Sequence, residues 1–345
     1  MRLLTRWAAP RASALPAVEA GSRPWLLTAL LLGAIVAGSL LGTWRPGSAA
    51  VLSAWVDPTV LTLLVLLFFE VRFLDVRRLR AAPRFLLLAW CANFLVVPLI
   101  GVGVASLFLS GEPLLFTGLL IYFVAPCTDW FLGFTRLAGG NITLGSVLLP
   151  LNLLTQLALF PVFLALFARI PAGLDVPSLL QTLGQWFLAP IVLAAGLRAL
   201  LAWALPAAVC TRLLGLVGRM IPGVIALLIV EIFTAHIGTI LNRVDAFLVI
   251  LVAVMLFFLL TYLVGDLLSR LFGLDYPEHA LLTMTTAARN APLMLGLTTV
   301  ALPGQPLVYA AIIIGMLVEF PHLTVIRALL LRRRLRVGEC PEVRA

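Results

Sequence analysis

A handful of reactive side chains lie in surroundings that are otherwise almost wholly apolar. Cys127 lies in the run Ala125-Pro126-Cys127-Thr128-Asp129, and Arg289 and Asn290 lie in the run Ala288-Arg289-Asn290-Ala291-Pro292, each between long hydrophobic stretches. Glu231, and Glu319 with His322, are embedded in two further apolar segments. An ionised group at the centre of a bilayer costs roughly 2.5–3.5 kcal/mol on insertion scales, so charges kept there mark ion paths, solute sites or structural pairs. Glu70 and Asp266 lie nearer segment ends, within reach of headgroups or loop arginines.

Proline removes a backbone donor and clashes with the preceding turn, so Pro126 and Pro292 free backbone groups at membrane depth. Such groups are tolerable only against protein, water or a bound solute. A buried cysteine by itself is a small hydrophobe. Cys127, however, follows the proline of a break, close to freed amides and beside Thr128 and Asp129, a setting that favours a thiolate. A soft thiolate suits a thiophilic solute such as trivalent arsenic or antimony, and a single thiol holds it reversibly, as a transporter requires. Cys91 and Cys210 lack such neighbours and read as structural, and Cys340 lies in the tail. The four cysteines have neither metal-finger spacing nor the look of a disulfide framework.

Asp129 and Arg289 have opposite charges and occupy the two proline-marked breaks, which predicts that they meet where the broken segments cross. Losing one partner would strand the other at about 3–5 kcal/mol. In the run Pro150-Leu151-Asn152-Leu153-Leu154-Thr155-Gln156, Asn152 and Gln156 are four apart and share a helix face. Gln156 reads as glue between helices, and Asn152 reads equally as glue or as the lining of a path.

The elements that hold these residues must be membrane helices. The chain has 345 residues, of which 62% are apolar and 11% charged, and its mean hydropathy of +1.13 is spread over most of its length. That composition excludes a soluble enzyme, a secreted disulfide scaffold and a disordered regulator. Apolar segments recur at about residues 25–43, 51–71, 84–110, 113–137, 142–168, 178–204, 213–238, 244–269, 277–301 and 305–331. Roughly 20 residues cross the hydrocarbon as a helix, and backbone in lipid must bond within its own segment or a closed barrel.

The net charge of +9 comes from 24 basic residues, all arginine, which cluster in short connections and so argue against a nucleic-acid partner. With a cytoplasmic amino terminus, Arg45, Arg169 and Arg243 fall outside, Arg289 falls within a span, and the remaining 20 fall inside. That bias predicts a multi-pass protein of the cell membrane with both termini cytoplasmic. Residues 1–24 read as a cytoplasmic tail without a signal-peptide core, and 332–345 as a basic cytoplasmic tail. His236 and His279 read as solvated or interfacial.

Ten spans divide into five and five, and because five is odd the second copy must be inverted relative to the first, as in secondary transporters. The expected fold is therefore all-α, with residues 25–168 as one five-helix repeat and 178–331 as its inverted partner. The breaks fall in the fourth and ninth spans, at equivalent places in the two halves.

In order along the chain, Pro126-Cys127-Thr128, the turn Ala138-Gly139-Gly140-Asn141, the Asn152 to Gln156 pair, Ala287-Ala288-Arg289-Asn290, and Gly315 to Pro321 resemble the motifs of arsenite permeases of the arsenical-resistance type. The likeness covers about residues 25–331. That family belongs to the bile acid:sodium symporter superfamily. The resemblance implies ten helices in inverted repeats, a panel domain of the first, second, sixth and seventh spans, and a core domain with two crossing broken helices. It implies that Cys127 is the family's essential cysteine, Asn290 its ninth-span asparagine and Glu319 its late glutamate; Thr128 and Asn152 join them as expected substrate-binding residues.

Two departures bear on mechanism. Ala291 and Leu293 stand where arsenite permeases typically have a second asparagine and a glutamate. Arg289-Asn290 stands where sodium-coupled relatives have a Gln-Asn pair, and a fixed cation there discourages sodium. A proton-antiport scheme must then use Asp129, Glu231 or Glu319, and Asp129 is favoured because its protonation would loosen its hold on Arg289. The expected function is export of arsenite or a similar metalloid, with no cofactor beyond a proton or sodium as coupling ion. The second reading is a sodium-coupled symporter of an organic anion, with Arg289 as counter-ion. An intramembrane enzyme is the third, and the chain has no His-Glu-x-x-His or Gly-x-Ser-x-Gly motif to support it.

Overall fold

Long apolar runs become helices here because each helix bonds its own backbone and asks nothing of the lipid. A computed structural model describes residues 24–45, 47–70, 82–128, 130–169 and 176–337. In chain order the helices are α1 (Pro24–Trp44), α2 (Ser48–Ser53), α3 (Val56–Glu70), α4 (Pro83–Cys91) and α5 (Val97–Leu109), followed by α6 (Pro113–Val124), α7 (Trp130–Leu137) and α8 (Ile142–Phe167). They continue with α9 (Val176–Ala204), α10 (Ala207–Leu241), α11 (Val244–Leu271), α12 (Tyr276–Ala287), α13 (Ala291–Ala301) and α14 (Pro306–Val337).

Among the described residues there is no strand, and eight helical stretches are long and apolar enough to cross a membrane. Two of these are composite: α2 with α3, and α4 with α5 through a single widened turn, Ala92–Val96. Pro98 follows that turn and has no N–H to offer the carbonyl of Phe94, which removes one α-helical bond where the helix widens. The apolar segments 113–137 and 277–301 are each divided between two short helices, α6 with α7 and α12 with α13.

The local sequence explains both divisions. Pro126 disfavours helical backbone at the residue before it, and Ala125 is extended (φ −104°, ψ 100°), so α6 stops at Val124. Pro292 does the opposite, since its fixed φ suits the first turn of a helix, and it lies at the start of α13.

Packing sets two groups of helices side by side. In one, α10 lies against α1 and α3, and α9 lies against α3. In the other, α14 packs on α6, α11 and α13, while α5 packs on α6 and α11, and α12 on α11 and α7. Leucines such as Leu99, Leu107, Leu188 and Leu248 are left exposed around the outside, as lipid-facing positions are.

The α1–α10 pair shows how small residues position whole helices. Gly38 and Gly42 are one turn apart on α1, and both face α10. A Cβ on Gly38 would stand 2.8 Å from the carbonyl oxygen of Val230, and one on Gly42 would stand 2.7 Å from that of Thr234. Hydroxyl Oγ1 of Thr234 donates to the Gly38 carbonyl at 3.1 Å. In lipid, where burying apolar surface drives nothing, such close backbone approach is what holds helices together.

Gly33 is the natural control, because a Cβ there meets nothing within 4 Å. Gly38→Ala is expected to destabilise the protein by about 1–3 kcal/mol through overpacking against backbone. Gly33→Ala is expected to be neutral or to stabilise by up to about 1 kcal/mol through helix propensity. Thermal unfolding of the two variants in detergent checks both.

Candidate functional site

The two divided segments meet at their gaps. Pro126 and Arg289 form an isolated antiparallel bridge. The amide of Cys127 donates to the carbonyl of Ala288 at 3.0 Å, and the amide of Asn290 donates to the carbonyl of Ala125 at 2.9 Å. Two amides and two carbonyls released by ending the helices are thus satisfied by the opposite gap, as buried backbone groups must be. Beside the bridge, the side-chain amide of Asn290 donates to the hydroxyl of Thr128 at 2.9 Å.

Arg289 is fully buried and reaches back from this crossing. Its Nη1 donates to the carbonyl of Phe123 at 2.8 Å, in the last turn of α6. Its Nη2 donates to the carbonyls of Thr286 at 2.6 Å and Thr285 at 3.2 Å, in the last turn of α12. Guanidinium carbon Cζ lies 5.7 Å from the centre of the Phe257 ring, itself stacked on Phe123. The backbone N–H of Arg289 donates to Oε1 of Glu319 at 2.9 Å, and the hydroxyl of Tyr122 reaches Oε2 of the same carboxylate at 3.4 Å. Glu319 is itself 2% exposed and brings α14 to the crossing.

A polar cluster adjoins these groups. The amides of Asn93, in the widened turn, and Asn152, on α8, both donate to the hydroxyl of Thr285, at 3.0 Å and 3.3 Å. Their Oδ1 atoms are buried and have no hydrogen-bond partner among the described residues. Asn152 therefore joins α8 to α12. Gln156 does not act as the expected glue: it is buried, yet neither of its amide atoms finds a partner among the described residues. One turn beyond Asn152 places it past the reach of Thr285, which Asn93 and Asn152 already share.

Cys127 is completely buried at the crossing, among Trp130, Ala288 and other apolar neighbours. Glu319 instead faces a crevice between the two helix groups, with Trp130, Pro292 and Met316 on its side and Leu31 and Ile225 opposite. The crevice has about 270 Å³ of unfilled space, counting what is continuous with its mouth. Glu231 lies elsewhere, on α10, where the hydroxyl of Thr59 donates to its Oε1 at 2.8 Å. Asp129 lies outside the described residues, so its expected approach to Arg289 does too.

His279, expected at an interface, is buried instead at 5% exposure. Its Nε2 lies 3.5 Å from Asp266, which also pairs with Arg270 at 2.7 Å and with Arg333 from the arginine run of α14. The reason is helical geometry: His279 falls on the first turn of α12 facing α11, where Asp266 projects. Asn93, Thr285 and Tyr122 were not singled out from sequence. For Asn93 a signal existed, since it is an amide in the middle of an apolar segment.

Helices long and apolar enough to cross a membrane, two interrupted segments bonded at their gaps, and buried charge at that crossing mark a multi-pass membrane protein. Residues 58–270 match the model of the Sodium Bile acid symporter family. The match covers more than half of the chain, and the chain belongs to that family. It is also similar to the arsenical-resistance protein Acr3 of Corynebacterium glutamicum, at 24% identity over 318 residues, which is 87% of this chain and 85% of that protein.

The contact between Glu319 and the backbone of Arg289 predicts a graded result. Glu319→Gln keeps an acceptor for that N–H, whereas Glu319→Ala orphans it in a buried place. Glu319→Ala is expected to be less stable than Glu319→Gln by about 1–3 kcal/mol, read as the difference in denaturation midpoint of the purified variants.

Proposed function

We propose that the protein is a secondary active transporter that exports arsenite or a similar metalloid across the cytoplasmic membrane by proton antiport. The observation that carries the reading is the crossing, where the Cys127 amide bonds the Ala288 carbonyl and a thiol sits between two helix interruptions. A thiol in that position offers a thiophilic solute one soft, reversible bond. The similarity to a protein named for arsenical resistance supports the same reading.

In this reading the ten apolar segments are ten spans arranged as two inverted five-helix repeats, 25–168 and 178–331, with both termini cytoplasmic and broken crossing helices in spans four and nine. Cys127, Thr128, Asn152, Asn290 and Glu319 form the solute site. Arsenous acid is an uncharged trihydroxide near neutral pH, so it needs hydrogen-bond acceptors rather than a counter-ion. The buried Oδ1 atoms of Asn93 and Asn152 supply acceptors of that kind beside the crossing. Asp129 carries the coupling proton, with Glu231 and Glu319 as the other available acids.

The family's description favours a second reading, sodium-coupled symport of an organic anion. Charge counts against it. Both Nη atoms of Arg289, the proposed counter-ion, are already engaged by three backbone carbonyls.

In a strain lacking its own exporters, the wild-type chain is expected to raise arsenite tolerance. Cys127→Ser is expected to lower transport by at least about tenfold, the lower bound for losing even an outer partner of a metal site. Undiminished tolerance in that variant would remove the thiol from the site. Sodium-driven uptake of taurocholate into proteoliposomes would instead select the second reading. Asp129→Asn is expected to make arsenite movement indifferent to an imposed pH gradient, and an undiminished response would dismiss Asp129 as the proton carrier.

A further inference from the structure

The last turns of α6 and α12 converge on one point, and the side chain that fills it is Arg289. The carbonyls of Phe123, Thr285 and Thr286 all accept from its Nη atoms, and the residue is fully buried. The C-terminal end of a helix carries roughly half a unit of negative charge. Two such ends together therefore balance about one monovalent cation. In transporters built from interrupted helices, unwound carbonyls and half-helix C-termini are the groups that bind a coupling sodium ion. The family to which this chain belongs is described as one of sodium symporters, yet the carbonyls that would receive the ion are already engaged by a guanidinium. These residues do not fit sodium.

We infer that Arg289 is a tethered cation that takes the place of a coupling sodium ion between α6 and α12, so that the protein neither binds nor uses sodium there. The inference rests on the transporter reading above for its functional meaning, and it deepens that reading by removing sodium from the coupling scheme. A sodium ion about 4 Å from the guanidinium would bind about a thousandfold more weakly than in the same cradle without it, equivalent to about 4 kcal/mol at an effective dielectric near 20. Shortening the side chain would reopen the cradle while leaving its carbonyls in place. The juxtaposed charge of Glu319, bonded to the Arg289 backbone, would remain as well.

The test uses the purified full-length protein in detergent and needs no transported solute. Thermal unfolding is followed in sodium chloride and in choline chloride at equal ionic strength, for the wild type and for Arg289→Gln. The wild type is expected to unfold at the same temperature in both salts. Arg289→Gln is expected to unfold several degrees lower in choline and to recover part of that loss, saturably, as sodium is added. A saturable sodium-dependent rise in the wild type overturns the inference. So does an Arg289→Gln protein that responds to sodium no more than the wild type does. Should Arg289→Gln fail to fold, Arg289→Lys decides: its tethered ammonium is expected to leave the protein indifferent to sodium, and a saturable sodium response there overturns the inference. Arsenite flux in proteoliposomes is measured alongside. A wild type that moves no arsenite refutes the proposed solute, while the sodium result stands or falls by itself.

Discussion

Two backbone hydrogen bonds, from Cys127 to Ala288 and from Asn290 to Ala125, are the constraint on which the rest of the structure depends. An amide left unpaired in an apolar medium costs several kcal/mol, so a chain that ends two helices inside an apolar core must bring the loose ends together. Everything near the crossing follows from that demand. Gly118 lets α6 come up against the backbone of Val308 on α14, and Gly315 lets α14 pass flat against the ring of Tyr122. Larger residues at either place would push α14 outward and carry Glu319 away from the crossing.

The same demand explains why a guanidinium tolerates complete burial. Arg289 is surrounded less by acidic side chains than by the negative ends of peptide dipoles, which are fixed by the fold and need no reorganisation. Its backbone N–H is held by Glu319 and its side chain by α6 and α12, so three separate helices are joined through one residue. That arrangement ties the chemistry of the crossing to α14, the helix that lines the crevice.

Much of this was legible in sequence, and the limits are instructive. Pro126 and Pro292 announced where the helices stop and start, because proline acts through the backbone it belongs to. The buried positions of Arg289, Asn290, Glu231 and Glu319 followed from charge and polarity within apolar segments. The partners of Arg289 did not: a carbonyl oxygen leaves no trace in the amino-acid sequence, so a cation in a membrane segment invites a search for a carboxylate. Asn93 was obscured for a related reason, since a widened turn rotates a side chain out of the face that a 3.6-residue period assigns to it. Thr285 looked like one of several threonines in a run, and only the three-dimensional convergence of Asn93 and Asn152 distinguishes it.

The glycine seam between α1 and α10 differs in kind from the crevice that faces Glu319. At Gly38 and Gly42 the two backbones come into close contact, with the side chains of Phe233 and Ile237 packed beside them. Across the crevice, Leu31 and Ile225 face Met316 and Trp130, so that boundary is lined by side chains. One contact sets backbone against backbone, and the other leaves the Glu319 carboxylate beside unfilled space between side chains, of which Met316 is the most adaptable.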